Sequence, residues 1–372
     1  METTTFKNGA SFLSKIVLVL FACLLISPGC KKPLHLKGFE QVNLVANKAG
    51  YGATLVDPQF VNGWGIAFAP SGPAWVSANG TGLSFIFNAL GAEVRPPVTI
   101  PSPAAATGGQ PTGAVFNSST TDFKLKNGNA ARFIFAGTDG VISGWNTGNA
   151  AELVLNDAPD AVYTGLAIAS DGTANFIYAA NFKEHKIDVY DKDWQEVDKP
   201  FMDPSIPAGY SPFNIQNIGG KLYVMYAKVG DDGDEEVGPG NGYVDIYNPD
   251  GSFVQRFISR GALNAPWGVA QAPADFFDNS NDNANDNKGN HGNAGSPVIL
   301  VGNFGNGHIN AYNENGVFLG ELLIHGKQPV VIDGLWGISF APATATTVNP
   351  GWLFFAAGPG DEKDGLFGYI SK

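Results

Sequence analysis

The sequence predicts an all-β chain folded as a six-bladed β-propeller. Three observations carry that reading: a phrase that recurs, a repeat period near 50 residues, and an excess of glycine. The phrase reads WGIAFAP from Trp64, WGVAQAP from Trp267 and WGISFAP from Trp336. Glycine supplies 48 of the 372 residues and proline 24, against an ordinary glycine share of about 7 per cent. Hydrophobic residues still make up 44% of the chain, so the turns separate core-forming strands and do not mark disorder. The length also exceeds the roughly 250 to 300 residues at which a single core stops growing, which favours a modular repeat.

Each repeat unit contains an apolar strand, a second strand ending in small residues, a polar turn and a third strand ending near Tyr-Asn or Tyr-Asp. Units begin at Trp64, Thr112, Thr164, Phe213, Trp267 and Trp336, and are therefore 48, 52, 49, 54 and 69 residues apart. The longest interval holds an Asn- and Asp-rich insert at 275–297, read as a surface loop. Without it the period matches a propeller blade of several strands. The last unit, 336–372, is long enough for three strands only. The stretch FEQVNLVANKAG from Phe39 has strand character and is expected to supply the outermost strand of the last blade, closing the ring and hiding an edge that would otherwise invite aggregation.

In each blade the recurring phrase is expected to be the innermost strand. Glycine at Gly65, Gly113, Gly165, Gly268 and Gly337 removes the side chain where backbones converge. Trp64, Trp267 and Trp336 are expected to fill the wedges between blades, the alternative being that they stack on a ligand at the channel mouth.

The N-terminus carries Lys7 and Lys15, then the apolar run IVLVLFACLLI from Ile16 to Ile26, then SPGC ending at Cys30. This run matches the core of a secretory signal and is too short to span a bilayer. Gly29-Cys30 resembles a bacterial lipobox, with Ser27 where the strict pattern has Leu, so residues 1–29 read as a lipoprotein signal peptide, Cys30 as its lipidation site and 30–38 as a tether to a propeller spanning 39–372. The alternative is a plain secretory signal with an incidental cysteine. Beyond Cys23 and Cys30 the chain has no cysteine, which suits an exported domain without disulfides. The expected location is a bacterial cell envelope, the expected contact a membrane through the lipid, and the expected state a monomer. A net charge of −12 excludes nucleic acid as a partner on electrostatic grounds.

The stretches PAGYSPFNIQNIGGKLYVMYAK, LNAPWGVAQAP, VGNFGNGHINAYN, VIDGLWGISFAP and GPGDEKDGLFG resemble an uncharacterised bacterial family of exported conserved hypothetical proteins, some carrying a PEP-CTERM sorting tail. The resemblance spans about Gln41 to Tyr369 and implies an NHL-like six-bladed propeller, with no assigned activity. The chain departs from the tailed members by ending at GYISK.

Ligand sites of propellers gather where loops meet around the axis. Aligning the six units places Asn79, Asp139, Asn181, Lys228, Asn303 and Asp361, with Glu362, in the loops joining the second and third strands. Asn62, Gln110, Asn264 and Asp333 precede the innermost strands. An oxygen-rich ring of this kind suits calcium, with Asp139, Asn181, Asn303 and Asp333 as candidate ligands. The competing reading is that Asn and Asp close tight turns there. The acidic loop GDDGDEEVGPGNG, from Gly230, and GPGDEKDG would project from the same face, either binding a cation or staying solvated. Neither has EF-hand spacing, and in the insert Asp278, Ser280 and Asp282 begin suitably but Gly289 occupies the twelfth position.

Catalytic signatures such as G-x-S-x-G, H-E-x-x-H and the P-loop are absent. His35, His185, His291, His308 and His325 show no zinc-ligand spacing, and a general acid or base is better sought among Asp139, Asp333 and Glu362. Three functions follow. One is non-catalytic binding of a small ligand, glycan or protein partner at the axial face; another is a calcium-dependent hydrolase or lactonase at the axis; the third is a structural role in surface assembly, for which only the export signal speaks.

Overall fold

Runs of Val, Ile and aromatic residues form the strands, and Gly, Asn and Asp between them turn the chain back. The computed structural model describes residues 34–277, 297–324 and 328–372. Among these residues the strands assemble into six sheets, and the single helical element is the short 3-10 turn Asn79–Thr81. The fold is an all-β β-propeller.

Five sheets have the three or four strands of an ordinary blade, each an antiparallel meander. The first runs Gly63–Phe68, Ala74–Ala78, Leu83–Phe87 and Val98–Thr99. The second runs Pro111–Phe116, Phe133–Gly137, Val141–Trp145 and Glu152–Asn156. The third has three strands, Tyr163–Ser170, Asn175–Asn181 and Lys186–Asp191. The fourth comprises Tyr210–Ile218, Lys221–Lys228, Tyr243–Tyr247 and Phe253–Ser259. The fifth comprises Pro266–Gln271, Val298–Asn303, Ile309–Asn313 and Phe318–Glu321.

The expectation of six like blades therefore needs correction: five sheets are of ordinary blade form, and the last is a seven-stranded composite. Its own segment yields only Leu335–Phe340, Leu353–Ala357 and Leu366–Ser371. The free edge of that third strand is taken by Lys37–Ala46, antiparallel, with Val42 opposite Tyr369. Lys37–Ala46 is not outermost. Leu323–Ile324, just past the fifth sheet, pairs parallel with it and in turn with Gln328–Pro329, while Leu55–Val56 pairs with its C-terminal end. Packing reaches into the 30–38 stretch read as a tether, since Leu36 is buried in the adjoining core and Lys37 and Gly38 open this strand. The 1–29 leader, Cys30, His325 and all but the ends of the 275–297 insert lie outside the described residues.

All six inner strands share one irregularity. Each pairs with its neighbour through a register shift that takes in Trp64, Thr112, Thr164, Phe213, Trp267 or Trp336, and in the first, second and last also the glycine that follows. A bulge re-aims one side chain and leaves it out of the alternating pattern. The residue after it meets the next inner strand: a Cβ on Gly65 would stand 2.4 Å from the Thr112 carbonyl oxygen, and one on Gly337 2.4 Å from that of Trp64. Only glycine fits such an approach. The fourth unit has Asn214 instead, whose Nδ2 donates to the Trp267 carbonyl at 2.8 Å and so uses its side chain to tie the fourth and fifth inner strands.

Candidate functional site on the axial face

The three tryptophans share a device in the chain ahead of them. Asn62, Ala265 and Gly334, each two residues before a tryptophan, have left-handed backbones with φ of 53°, 46° and 63°. For Ala265 this conformation carries a steric cost, which the surrounding packing must offset. With the bulge that follows, it delivers all three indoles to one cluster with Phe213 and Phe182. Trp336 stacks on Trp64 at 3.6 Å between ring centroids, and Trp267 meets both edge-on at about 6 Å. Phe213 lies 5.6 Å from Trp336, and the half-buried Phe304 stacks on it at 4.0 Å.

The expected wedge positions are thus replaced by mutual contact: the indoles plug the space where the inner strands converge. Thr112 and Thr164, both buried, hold the corresponding positions of the second and third strands and add no ring to the cluster. All three tryptophans are at most 5% exposed, so none offers a face for stacking on a ligand. Trp267 Nε1 donates to the Thr164 carbonyl at 2.9 Å and Trp336 Nε1 to Asn62 Oδ1 at 3.1 Å. Trp64 Nε1 is buried without an acceptor among the described residues.

Asn62 links this plug to an acidic rim. Its Nδ2 donates to Glu362 Oε2 at 2.6 Å. Asp361 and Glu362 are both left-handed, which turns Glu362 inward while Asp361 stays exposed beside Lys363. Burial raises the Glu362 carboxyl above its ordinary range, and the charge of Asp234 adds to the effect. Glu235 is pushed up to about 7, chiefly by burial and further by the charges of Glu362, Asp234 and Asp232. The loop bearing Glu235 leans toward the inner strands, with the Gly238 amide donating to Asn264 Oδ1 at 2.7 Å. Glu362 is thus tied to the plug through Asn62, and its charge acts on Glu235 in the acidic loop.

Sequence reasoning treats the acidic loop as one unit and does not single out Glu235. A signal was present in the Asp232-Gly233 turn. Gly233 is left-handed (φ 92°), the Gly230 amide donates to the Asp234 carbonyl, and Glu235 returns to bridge Val229.

The other nominated residues mostly tie loops together. Asn303 Oδ1 accepts from the Asn264 amide at 3.1 Å, and its Nδ2 donates to the Ala262 carbonyl at 2.8 Å. Asn181 donates to Asp188 at 2.8 Å and Glu184 at 3.1 Å. Asp139 accepts from the Gln110 amide and has its proton affinity raised by burial. Asp333 accepts from the Gly360 amide at 3.0 Å. Gln110 Oε1 accepts from Thr138, to which Asn79 Nδ2 also donates, and Lys228 pairs with Glu236 at 2.6 Å. Among the described residues no group of three or more His, Cys, Asp or Glu stands close enough to hold a metal ion. His185 occupies a left-handed turn, and His308 Nδ1 contacts Glu321 at 2.9 Å.

No family model matches the chain. It is 34% identical over 348 residues to the uncharacterised protein R648 of Acanthamoeba polyphaga mimivirus, covering 88% of this chain and 79% of the relative. It is 32% identical over 353 residues to the uncharacterised protein L690 of the same virus, covering 89% and 86%. A solved structural-genomics protein of unknown function from Bacteroides thetaiotaomicron superposes with a TM-score of 0.53 at 10% identity, over 90% of this chain and 76% of that one, a likeness of fold alone. The viral relatives overturn two expectations: the resemblance to a bacterial exported family, and the bacterial envelope location with its lipid anchor. The physical reason lies in what the quoted phrases encode. Trp-Gly before a small-residue strand answers to bulge and close approach at the inner strand, which is a demand of packing and not a mark of lineage.

Proposed function

For a chain that belongs to one family with the mimivirus proteins R648 and L690, we propose a binding function without catalysis: the composite sheet acts as sixth blade of a closed ring, and the axial face binds a small ligand or peptide side chain rich in hydrogen-bond donors. The antiparallel pairing of Lys37–Ala46 with Leu366–Ser371 and the close approach of Gly337 to Trp64 support closure between first and last sheets. The observation that carries the binding reading is the hydrogen bond from Asn62 to Glu362, whose charge acts on Glu235, beside a floor of buried indoles capped by Phe304. Acceptors clustered at the edge of an aromatic floor suit hydroxyl or ammonium donors.

A second reading rests on the same carboxyls. A glutamate titrating near 7 is suited to give up a proton in hydrolysis, with Glu235 as general acid. The calcium-dependent form of that reading draws less support, since Asp139, Asn181, Asn303 and Asp333 each serve a loop of their own.

The test is thermal stabilisation of the protein by a panel of saccharides, polyamines and basic peptides at pH 7, in wild type and in Glu235→Gln and Glu362→Gln. A compound that stabilises wild type and loses its effect in both variants is the expected result. Stabilisation unchanged in both would move binding elsewhere, and turnover of a lactone abolished by Glu235→Gln would favour the enzyme.

A further inference from the structure

A cavity lies against the outermost strand of the fifth sheet, Phe318–Glu321. It measures about 730 Å³, within the ordinary range for small-molecule sites of about 300 to 1,000 Å³. Leu34, Leu36, Leu319 and Leu323 line it with Phe318. Phe318 and Leu319 remain 49% and 38% exposed, so they present apolar surface to whatever enters.

Polar groups converge on this apolar wall. Lys37, His308 and Asn306 line the same cavity. Glu321, the carboxylate of the lining, is engaged by His308 Nδ1 at 2.9 Å, an arrangement in which Nε2 offers a ligand an N–H only when the ring is the imidazolium. Asn306 Oδ1 accepts from the His308 amide, which leaves its Nδ2 as a donor. Lysine ammonium, imidazolium and amide donors beside leucines and a phenylalanine complement an anion joined to an apolar body.

We propose that this cavity binds an amphiphile with one anionic head and an apolar tail or ring system. The head meets Lys37, His308 and Asn306, and the tail lies along Leu34, Phe318, Leu319 and Leu323. The site is independent of the axial reading, because it shares none of Asn62, Glu235 or Glu362.

The experiment uses the full chain and the fluorescent anionic probe anilinonaphthalene sulfonate, displaced by decanoate or by decyltrimethylammonium, both below their micelle points. Saturable one-to-one binding, displaced by decanoate and not by the cation, is expected. Leu319→Asp should weaken it at least about tenfold by placing a carboxylate against the apolar wall, and Lys37→Gln should reduce the preference for decanoate. Val254→Asp, at a position 43% exposed on the fourth sheet and outside the cavity, should leave it unchanged. Melting curves check that each variant is folded. Absence of saturable binding, equal displacement by the cation, retention of binding in folded Leu319→Asp, or equal loss in Val254→Asp would each overturn the proposal.

Discussion

Replacing Trp336 by alanine tests the indole plug. The side chain is 1% exposed, stacks on Trp64 and Phe304, touches Trp267 and Phe213, and donates to Asn62. Truncating a buried aromatic of this size costs about 3 to 5 kcal/mol, combining lost transfer energy with the cavity left behind. Here the upper half of that range applies, because five rings of the cluster have no route to collapse inward and Asn62 Oδ1 loses its donor. For a chain of this length about 4 kcal/mol corresponds to a fall in melting temperature of about 6 °C. Urea unfolding of Trp336→Ala against Trp352→Ala is the assay. Trp352 stacks on Tyr369 at 3.7 Å but is only half-buried, so its loss should cost clearly less. A Trp336→Ala change within about 1 kcal/mol of wild type would refute the plug as a stabilising element.

Three further outcomes follow from the same geometry. Because Glu235 holds its proton up to about 7, the folded state binds more protons than the unfolded state between roughly pH 4.5 and 7, and stability is lost as pH rises through that window. Glu235→Gln should remove about 3 kcal/mol of that loss at pH 8 and match wild type below pH 4, as read by melting curves across pH. Arg256 pairs with Asp203 and with Asp245, which is 0% exposed; Arg256→Ala leaves that carboxylate buried without its cation and should cost about 3 to 5 kcal/mol in urea unfolding. Cysteines replacing Val42 and Tyr369, which oppose one another across the terminal strands, should oxidise to a disulfide and raise stability by about 4 kcal/mol, whereas failure to crosslink would contradict the pairing.

The repeat was legible because blade packing imposes it residue by residue. Trp-Gly marks the bulge and the close approach, and both fall where the period placed them. The fourth unit was legible in period but not in chemistry, because Asn214 replaces glycine and makes a hydrogen bond that no spacing rule anticipates. Exposed edges invite aggregation, which made a covering strand within Phe39–Gly50 legible, while the added Leu323–Ile324 strand was not, since a two-residue parallel pairing leaves no pattern in sequence. The candidate site was partly legible. Register put Asn62 ahead of the first inner strand, and Glu362 stood out through its acidic loop and as a candidate acid or base. Glu235 was hidden in a run of like charges, because what separates it from Asp231 and Glu236 is a turn that folds one carboxyl inward.

The action of the Glu362 charge on Glu235, beside the indole cluster, is the point on which the site stands or falls. Carbon-13 NMR titration of the Glu235 carboxyl, in wild type and in Glu362→Gln, tests it most directly. A midpoint near 7 that falls when the neighbouring charge is removed is the predicted result. A midpoint in the ordinary carboxylate range, unmoved by the substitution, would contradict it.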